Sequence, residues 1–179
     1  MASNSIRNGF LALVLVFTTF GLAAANNAGP PVGHSGSPAF ADVTRDRTCA
    51  WSVCHTGNTT NNGAGAIRLL GLPAEYTPGE TYELTVHLES TSTAQFANRR
   101  WGFQLTAMRA ETGLGAGAGN FVLPTELRLQ LMGSKQRQYV SHNQTSNRLG
   151  QESPVAWTLS WVAPAEPQGK ILFYYAGNA

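Results

Sequence analysis

The residues that could carry chemistry are concentrated in the segment 49–55, Cys-Ala-Trp-Ser-Val-Cys-His. Both cysteines of the chain, Cys49 and Cys54, lie in this segment, and His55 directly follows the second. A cysteine pair followed at once by histidine is typical of a c-type haem attachment sequence, in which two thiols bind the vinyl groups and the histidine ligates iron. Four residues separate the cysteines here, whereas the usual motif has two.

Three chemistries are open for this segment. In an oxidising compartment Cys49 and Cys54 form a local disulfide, which stabilises so short a loop by about 2 kcal/mol. Alternatively, the cofactor is haem c, with Cys49 and Cys54 as thioether attachments, His55 as axial ligand and His142, at a strand end, as the second ligand; the protein is then a small electron carrier. A zinc site would need a fourth ligand that the sequence does not identify, so we predict no separate metal site.

The first 25 residues have the features of a secretory signal peptide. Arg7 supplies a positive charge, residues 10–22 form an apolar run too short to span a bilayer, and residues 23–25 are three alanines suited to cleavage. Cleavage removes Arg7 and no acidic residue, so the formal charge falls from +2 to +1. We therefore expect a secreted, cell-surface or periplasmic protein with no transmembrane segment after cleavage.

Residues 26–48 form an irregular lead-in rich in glycine and proline. The stretch 29–38, Gly-Pro-Pro-Val-Gly-His-Ser-Gly-Ser-Pro, has neither helical nor strand periodicity, and we expect His34 within it to lie in a flexible segment. Its Gly-His-Ser-Gly-Ser sequence lacks the final glycine of a hydrolase nucleophile elbow. The predicted organisation is thus a signal peptide (1–25), the lead-in (26–48) and one domain (49–179).

Alternation of apolar and polar residues with period two dominates the rest of the chain. In 81–89, Tyr82, Leu84, Val86 and Leu88 share one face, and a Pro-Gly turn precedes them. The predicted strands are 66–70, 81–89, 101–108, 127–132, 137–142, 156–162 and 170–176. Seven to eight short strands separated by turns predict an all-β fold, an immunoglobulin-like antiparallel β-sandwich. The side chains expected between its sheets are Trp101, Phe103, Leu105, Trp157, Leu159 and Trp161.

A series of short motifs resembles one known family. The motifs are Thr48-Cys49, Cys54-His55-Thr56-Gly57, Gly71-Leu72-Pro73-Ala74, Tyr76-Thr77-Pro78-Gly79, Arg100-Trp101-Gly102-Phe103-Gln104, Tyr139-Val140-Ser141-His142, Trp157 to Trp161, and Phe173-Tyr174-Tyr175-Ala176-Gly177-Asn178-Ala179. Together they resemble the bacterial reelin-type domain, also called the choice-of-anchor V domain. The resemblance implies a secreted or cell-surface module without enzymatic activity. Because family members commonly continue into a further strand and often a C-terminal anchor, we expect the chain to be truncated at Ala179.

Composition excludes some partners and leaves others open. The scattered charges, including the small cluster 135–137 that we expect at a solvated strand end, do not indicate nucleic-acid binding. The glycine run 113–119 is not followed by a helix and is no dinucleotide fingerprint. The polar loops 58–63, 113–120 and 143–151, which we expect to be mobile, suit recognition of an extracellular or cell-surface ligand. The sequence thus predicts a binding or structural module, with the haem protein as the alternative.

Overall fold

A computed structural model describes residues 28–38, 45–51, 55, 60–61, 63–92, 98–110, 116–132 and 137–179. Eight β-strands lie in this part of the chain. They are β1 (Gly65–Leu70), β2 (Thr81–Ser90), β3 (Gly102–Arg109), β4 (Asn120–Val122), β5 (Leu127–Met132), β6 (Arg137–His142), β7 (Val155–Val162) and β8 (Ile171–Asn178). The predicted signal peptide lies outside the described residues.

β2 illustrates why these segments form strands. The turn before it has Pro78 and then Gly79, whose φ of 75° only glycine adopts without strain, and the Glu80 amide donates to the Thr77 carbonyl. Along the strand, Leu84, Val86 and Leu88 are at most 1% exposed. Alternating burial fixes the register, because a slip of one residue would turn the leucines to solvent.

The strands form two four-stranded antiparallel sheets. The first sheet has the order β1-β2-β7-β4 and the second has the order β5-β6-β3-β8. The all-β antiparallel sandwich predicted from the sequence is confirmed, and the seven predicted strands are found with their ends shifted by at most two residues. The eighth, β4, was not predicted, because three residues are too few to show period two.

The core lies between the facing sheets and is built around aromatic residues. The Phe103 ring of the second sheet is 4.8 Å from the Trp157 ring of the first, and the Trp161 ring is 5.1 Å from that of Phe173 on β8. Such offset and edge contacts are favoured by aromatic quadrupoles. All six side chains predicted to fill this space are buried: Trp101, Phe103, Leu105, Trp157, Leu159 and Trp161.

The second sheet is covered on its other face as well. Every residue of β3 from Gly102 to Met108 is buried, including the polar Gln104 and Thr106. The cover is the N-terminal segment, by which we mean residues 28–38 and 45–48. His34, Ser35, Ser37 and Asp46 of this segment are each at most 6% exposed. The segment has no strand or helix in its described residues, yet it forms a third layer of the domain.

This third layer corrects two sequence-based expectations. His34 is not in a flexible segment, because it is 5% exposed and hydrogen-bonded to the sheet. Arg137 is not at a solvated strand end, because it is 1% exposed beneath the N-terminal segment. In both cases the covering residues are distant in sequence, so local pattern could not reveal the burial.

The loop 143–151 is also more ordered than expected. The side-chain oxygen of Asn143 accepts hydrogen bonds from the amides of Thr145 and Ser146, which forms an Asx-type turn. Ser146 is fully buried, and its carbonyl accepts the Trp157 indole N–H at 2.7 Å. Two core tryptophans hold this loop, because Trp101 donates through its indole to the Gln151 carbonyl. Among the described residues, no helix has the length and apolarity needed to cross a bilayer.

Candidate functional site

Of the segment 49–55, the structure describes Cys49, Ala50, Trp51 and His55, and these lie at the edge of the sandwich. Cys49 lies in a turn after the N-terminal segment, and the amide of Trp51 donates to the Thr48 carbonyl at 3.2 Å. The His55 amide donates to the Trp51 carbonyl at 3.2 Å. Cys49 is half-buried and the His55 side chain is exposed. Cys54 lies outside the described residues, so both the disulfide and the thioether pairing stay predictions.

A groove of about 1190 Å³ runs between this segment and the strands β1 and β8. Asp46, Cys49 and His55 line one side of it. The other side is formed by residues 65–67 of β1 and by residues 173–179, which comprise most of β8 and the residue after it. Residues 173–175 are one phenylalanine and two tyrosines. Both strands are at sheet edges, so the groove lies at the open side of the sandwich. Its volume exceeds the roughly 300–1000 Å³ of typical small-molecule sites.

His142, the predicted second haem ligand, lies at the end of β6 and is 9% exposed. Its Nδ1 is 3.1 Å from the Phe103 amide nitrogen and 3.3 Å from the Phe103 carbonyl oxygen. An amide N–H can only donate, so the shorter contact makes Nδ1 the acceptor and leaves the proton of the neutral ring on Nε2. Burial, together with the positive charges of Arg128 and His55, lowers the pKa of His142 to about 4. His142 is therefore neutral at physiological pH.

The structure brings His55 and His142 into the same region of the domain. They are close enough that the charge of His55 contributes to the lowered pKa of His142. Of the two predicted haem ligands, His55 lines the groove and His142 does not.

His34, next to the candidate site, is buried in a way that the sequence did not predict. Its backbone amide donates to the side-chain oxygen of Gln104 on β3, and its Nδ1 lies 3.0 Å from the Pro31 carbonyl oxygen. Its Nε2 is buried and has no hydrogen-bond partner. An unsatisfied buried polar group costs about 1–3 kcal/mol. The sequence shows that residue 34 is a histidine, but the glycine- and proline-rich stretch around it has no pattern that predicts burial.

Trp51 joins the Cys49–His55 segment to the N-terminal segment. Its ring lies 5.9 Å from the His34 ring, measured between centroids. On the indole face the guanidinium carbon of Arg47 lies 3.3 Å from the ring centroid, which is a close cation–π contact. The middle of the chemical motif is thus packed against His34.

A buried polar network holds the N-terminal segment on β6. Arg137 donates to the Tyr139 hydroxyl at 2.7 Å, and that hydroxyl donates to Asp46 at 3.2 Å. Asp46 also accepts from Ser35 at 2.7 Å, and Arg137 donates to Ser37 at 3.1 Å. Burial and the negative charge of Asp46 hold the pKa of Tyr139 well above its ordinary value, so the hydroxyl remains a neutral donor. This network is structural, since its atoms face other protein groups.

Within the described ranges there is no group of three or more histidine, cysteine, aspartate or glutamate side chains placed to hold a metal ion. Because Cys54 falls outside those ranges, the zinc alternative built on Cys49, Cys54 and His55 stays untested. Of the four predicted site residues, the structure places Cys49 and His55 on one groove and His142 in a buried position nearby.

Comparison with protein families decides what kind of domain this is. The model of the Reeler domain matches residues 47–176. The chain belongs to the Reeler domain family. The resemblance predicted from the sequence motifs is thereby confirmed at the level of the family, and Reeler domains are β-sandwich modules of extracellular proteins.

Two crystal structures of the human F-spondin reeler domain are similar to this Reeler domain. Fragment 1 is 24% identical, with a TM-score of 0.41, and the match covers 63% of this chain and 73% of that one. Fragment 2 is 24% identical, with a TM-score of 0.40, and the match covers 63% of this chain and 76% of that one. No curated protein matched the chain. Residues 28–38 of the N-terminal segment precede the part that the Reeler model matches.

Proposed function

We propose that this Reeler domain is a secreted or cell-surface, non-enzymatic module that binds an extracellular ligand through the groove between the Cys49–His55 segment and strand β8. Membership of a family of extracellular modules supports the location and the absence of catalysis. The groove supports the binding role, because it combines aromatic side chains of β8 with polar groups such as Asn61 and Asn178. This mixture suits carbohydrate or matrix chains, in which apolar ring faces alternate with hydroxyl groups.

The test uses the chain without its signal peptide and an array of polysaccharide and glycan probes. Tyr174→Ala removes an aromatic side chain from the groove, while Leu131→Ala on β5 removes a side chain that is 51% exposed and lies outside it. We expect the parent and Leu131→Ala to bind the same probe and Tyr174→Ala to bind it at least tenfold more weakly. Equal binding by all three chains would exclude the groove. No binding to any probe would contradict carbohydrate recognition and favour a structural role.

A small c-type cytochrome is the second candidate function. The observation that favours it is that Cys49 and His55 line the same groove, whose volume of about 1190 Å³ is large enough for a porphyrin. In this function Cys49 and Cys54 hold the haem by thioether bonds, each formed when a thiol S–H adds across a vinyl C=C. His55 would be one ligand of the iron, and the sequence names His142 as a second. Bound haem would provide one-electron transfer.

Expression with the signal peptide in a periplasm that contains the cytochrome c maturation machinery separates the two functions. A cytochrome would show a Soret band and a mass increased by one haem. A colourless chain, lighter by two hydrogens than its dithiol form, would establish the Cys49–Cys54 disulfide and exclude the haem.

A further inference from the structure

Alternate residues of β8 direct their backbone groups away from the rest of the second sheet. The Ala110 amide donates to the Lys170 carbonyl at 2.9 Å, and this pair continues the β3–β8 register by one step. Hydrogen-bonded pairs alternate along an antiparallel ladder, so the even-numbered residues of β8 are those that bond to β3. The odd-numbered residues in the groove direct their N–H and C=O groups to the free edge of the strand, and we call these the outward groups of β8: Phe173, Tyr175 and Gly177.

The other side of β3 shows the same alternation. The Phe103 amide donates to the His142 ring and the Arg109 amide donates to the Ala116 carbonyl, so these odd-numbered residues of β3 bond away from β8. β8 is the last strand of its sheet. Within the part of the chain that the structure describes, no hydrogen bond satisfies the outward groups. A strand edge of this kind is a template for pairing with a further strand.

The outward groups lie in the groove, between two other layers of the domain. β1 belongs to the first sheet and Asp46 and Thr48 belong to the N-terminal segment that covers the second, and both layers line the groove together with β8. A β-carbon on Gly177 would lie 2.9 Å from Cδ1 of Ile67, which shows how closely β1 flanks β8. A second copy would bring its own recessed edge and its own flanking layers, and these would collide before the two edges met. A single extended chain has no such layers.

The two flanking layers favour different side chains in an added strand. On the side of the first sheet the groove is lined by Ile67 and Leu88, which are apolar. On the side of the N-terminal segment it is lined by Thr48 and Thr60, whose hydroxyl oxygens are 3.3 Å apart. Successive side chains of a strand point to opposite faces, so an added strand meets the two sides in turn. The matching ligand therefore alternates apolar and polar residues.

We infer that β8 binds an extended polypeptide segment of a partner protein, which adds to the second sheet as a further strand. The outward N–H groups donate to the ligand backbone and the outward C=O groups accept from it, while the alternating side chains give selectivity. At about 3.3 Å per residue, residues 173–179 span roughly 23 Å, which is the length of about seven ligand residues. The inference rests on the groove as the binding site of the proposed function, and it names a polypeptide as the ligand.

The probes are three fluorescein-labelled peptides that alternate threonine with valine, leucine or phenylalanine and carry a lysine at each end for solubility. Tyr175→Pro removes an outward N–H, which an edge strand tolerates because that group does not bond to the sheet. Tyr175→Ala is the matched control, since it loses the same side chain and keeps the N–H. By fluorescence anisotropy, we expect at least one peptide to bind the parent and to bind Tyr175→Pro at least tenfold more weakly than Tyr175→Ala.

Amide hydrogen exchange of the parent, followed by nuclear magnetic resonance, tests the same contact without a substitution. We expect the Phe173 and Tyr175 amides to exchange at least tenfold more slowly when the peptide is bound. The Tyr174 amide, which bonds to β3, should be protected with and without the peptide. This measurement decides the question even if Tyr175→Pro does not fold.

The outcomes distinguish this inference from the proposed function. Equal affinities of Tyr175→Pro and Tyr175→Ala, or unchanged exchange of the Phe173 and Tyr175 amides, would overturn strand addition. Glycan binding that depends on Tyr174, without binding of any peptide, would also overturn it and leave the proposed function standing. A dimer of the peptide-free chain that Tyr175→Pro abolishes would assign the edge to a second copy and contradict the inference. If neither peptides nor glycans bind, both proposals are wrong.

Discussion

At the scale of single residues, the buried His142 connects the fold to pH. His142 has a pKa near 4 in the folded chain, mainly because burial disfavours its charged form. In the unfolded chain the ordinary value is 6.5. Between these two values the unfolded state binds a proton that the folded state does not. Stability therefore rises as pH increases from 4 to 6.5, and it no longer changes from this source at higher pH.

We expect His142→Asn to flatten this pH dependence. Between pH 6.5 and pH 4 the parent loses about 3 kcal/mol of its free energy of unfolding through His142, at the usual 1.36 kcal/mol for each pKa unit. Urea unfolding at several pH values measures it, with His87→Asn on β2 as the control. The prediction fails if His142→Asn and His87→Asn show the same slope of unfolding free energy against pH.

Gly102 is a second residue whose identity follows from His142. A β-carbon at this position would lie 2.4 Å from Cε1 of the His142 ring, and also close to both ring nitrogens. Because the ring is held by the Phe103 amide, it cannot move away without losing that hydrogen bond. We expect Gly102→Ala to lower the free energy of unfolding by about 1–3 kcal/mol. Gly79→Ala is not a suitable control, since its φ is positive, so Ala66→Gly on the exposed edge of β1 serves instead. A denaturation midpoint for Gly102→Ala equal to that of the parent would contradict the argument.

At the scale of elements, a buried polar network holds the N-terminal segment on the second sheet. Asp46 and Arg137 have side chains that are 1% and 2% exposed, and their charged atoms are 4.0 Å apart. Removing one partner leaves the other charge buried and uncompensated, which costs far more than the loss of a surface pair.

Asp46→Ala is accordingly expected to lower the free energy of unfolding by about 3–5 kcal/mol. The control is Glu89→Ala, which breaks the exposed pair with Arg68 and should change stability by less than about 1 kcal/mol. Trypsin gives an independent measurement, because Arg45 and Arg47 flank Asp46 and become cleavable once the segment detaches. Comparable stability losses in the two variants would show that the buried network does not anchor the segment.

The sequence predicted these elements unequally, for physical reasons. Strands such as β2 and β7 were predicted because one face is buried and the other is not, which leaves a period of two in the residues. The burial of Gln104, Arg137 and Tyr139 was not predicted, because these polar side chains look like a solvated face until the N-terminal segment covers them. Their hydrogen-bond partners are distant in sequence, as Ser37 is from Arg137, and a local sequence pattern cannot predict such a pairing. For the candidate site, the sequence identified the motif from Cys49 to His55 but not the packing of His34 against Trp51 within it.

At the scale of the whole molecule, the domain consists of three layers that are held together differently. The two sheets share an aromatic core, in which the buried indoles also donate to loop carbonyls, for example Trp161 to Ala118 at 3.0 Å. The third layer, the N-terminal segment, meets the second sheet through polar contacts. In two of these contacts, the Arg128 guanidinium donates to the Pro30 carbonyl and the Gln104 side-chain N–H donates to the Pro31 carbonyl. Among the described residues, none of this layer belongs to the apolar core.

A chain without residues 26–38 should therefore still fold as a sandwich, with reduced stability. The second sheet would expose Gln104, Tyr139 and Ser141, whose polar groups water can hydrate, while the tryptophans between the sheets would keep their contacts. The hydrogen bonds lost from Pro30, Pro31, His34 and Ser37, at about 1 kcal/mol each, predict a loss of roughly 4 kcal/mol. Near-ultraviolet circular dichroism reports the tryptophan packing and urea unfolding reports the stability, both against the chain that begins at Asn26. An unchanged midpoint would mean that the third layer contributes no net stability, and loss of the tryptophan signal would mean that the two sheets cannot pack without it.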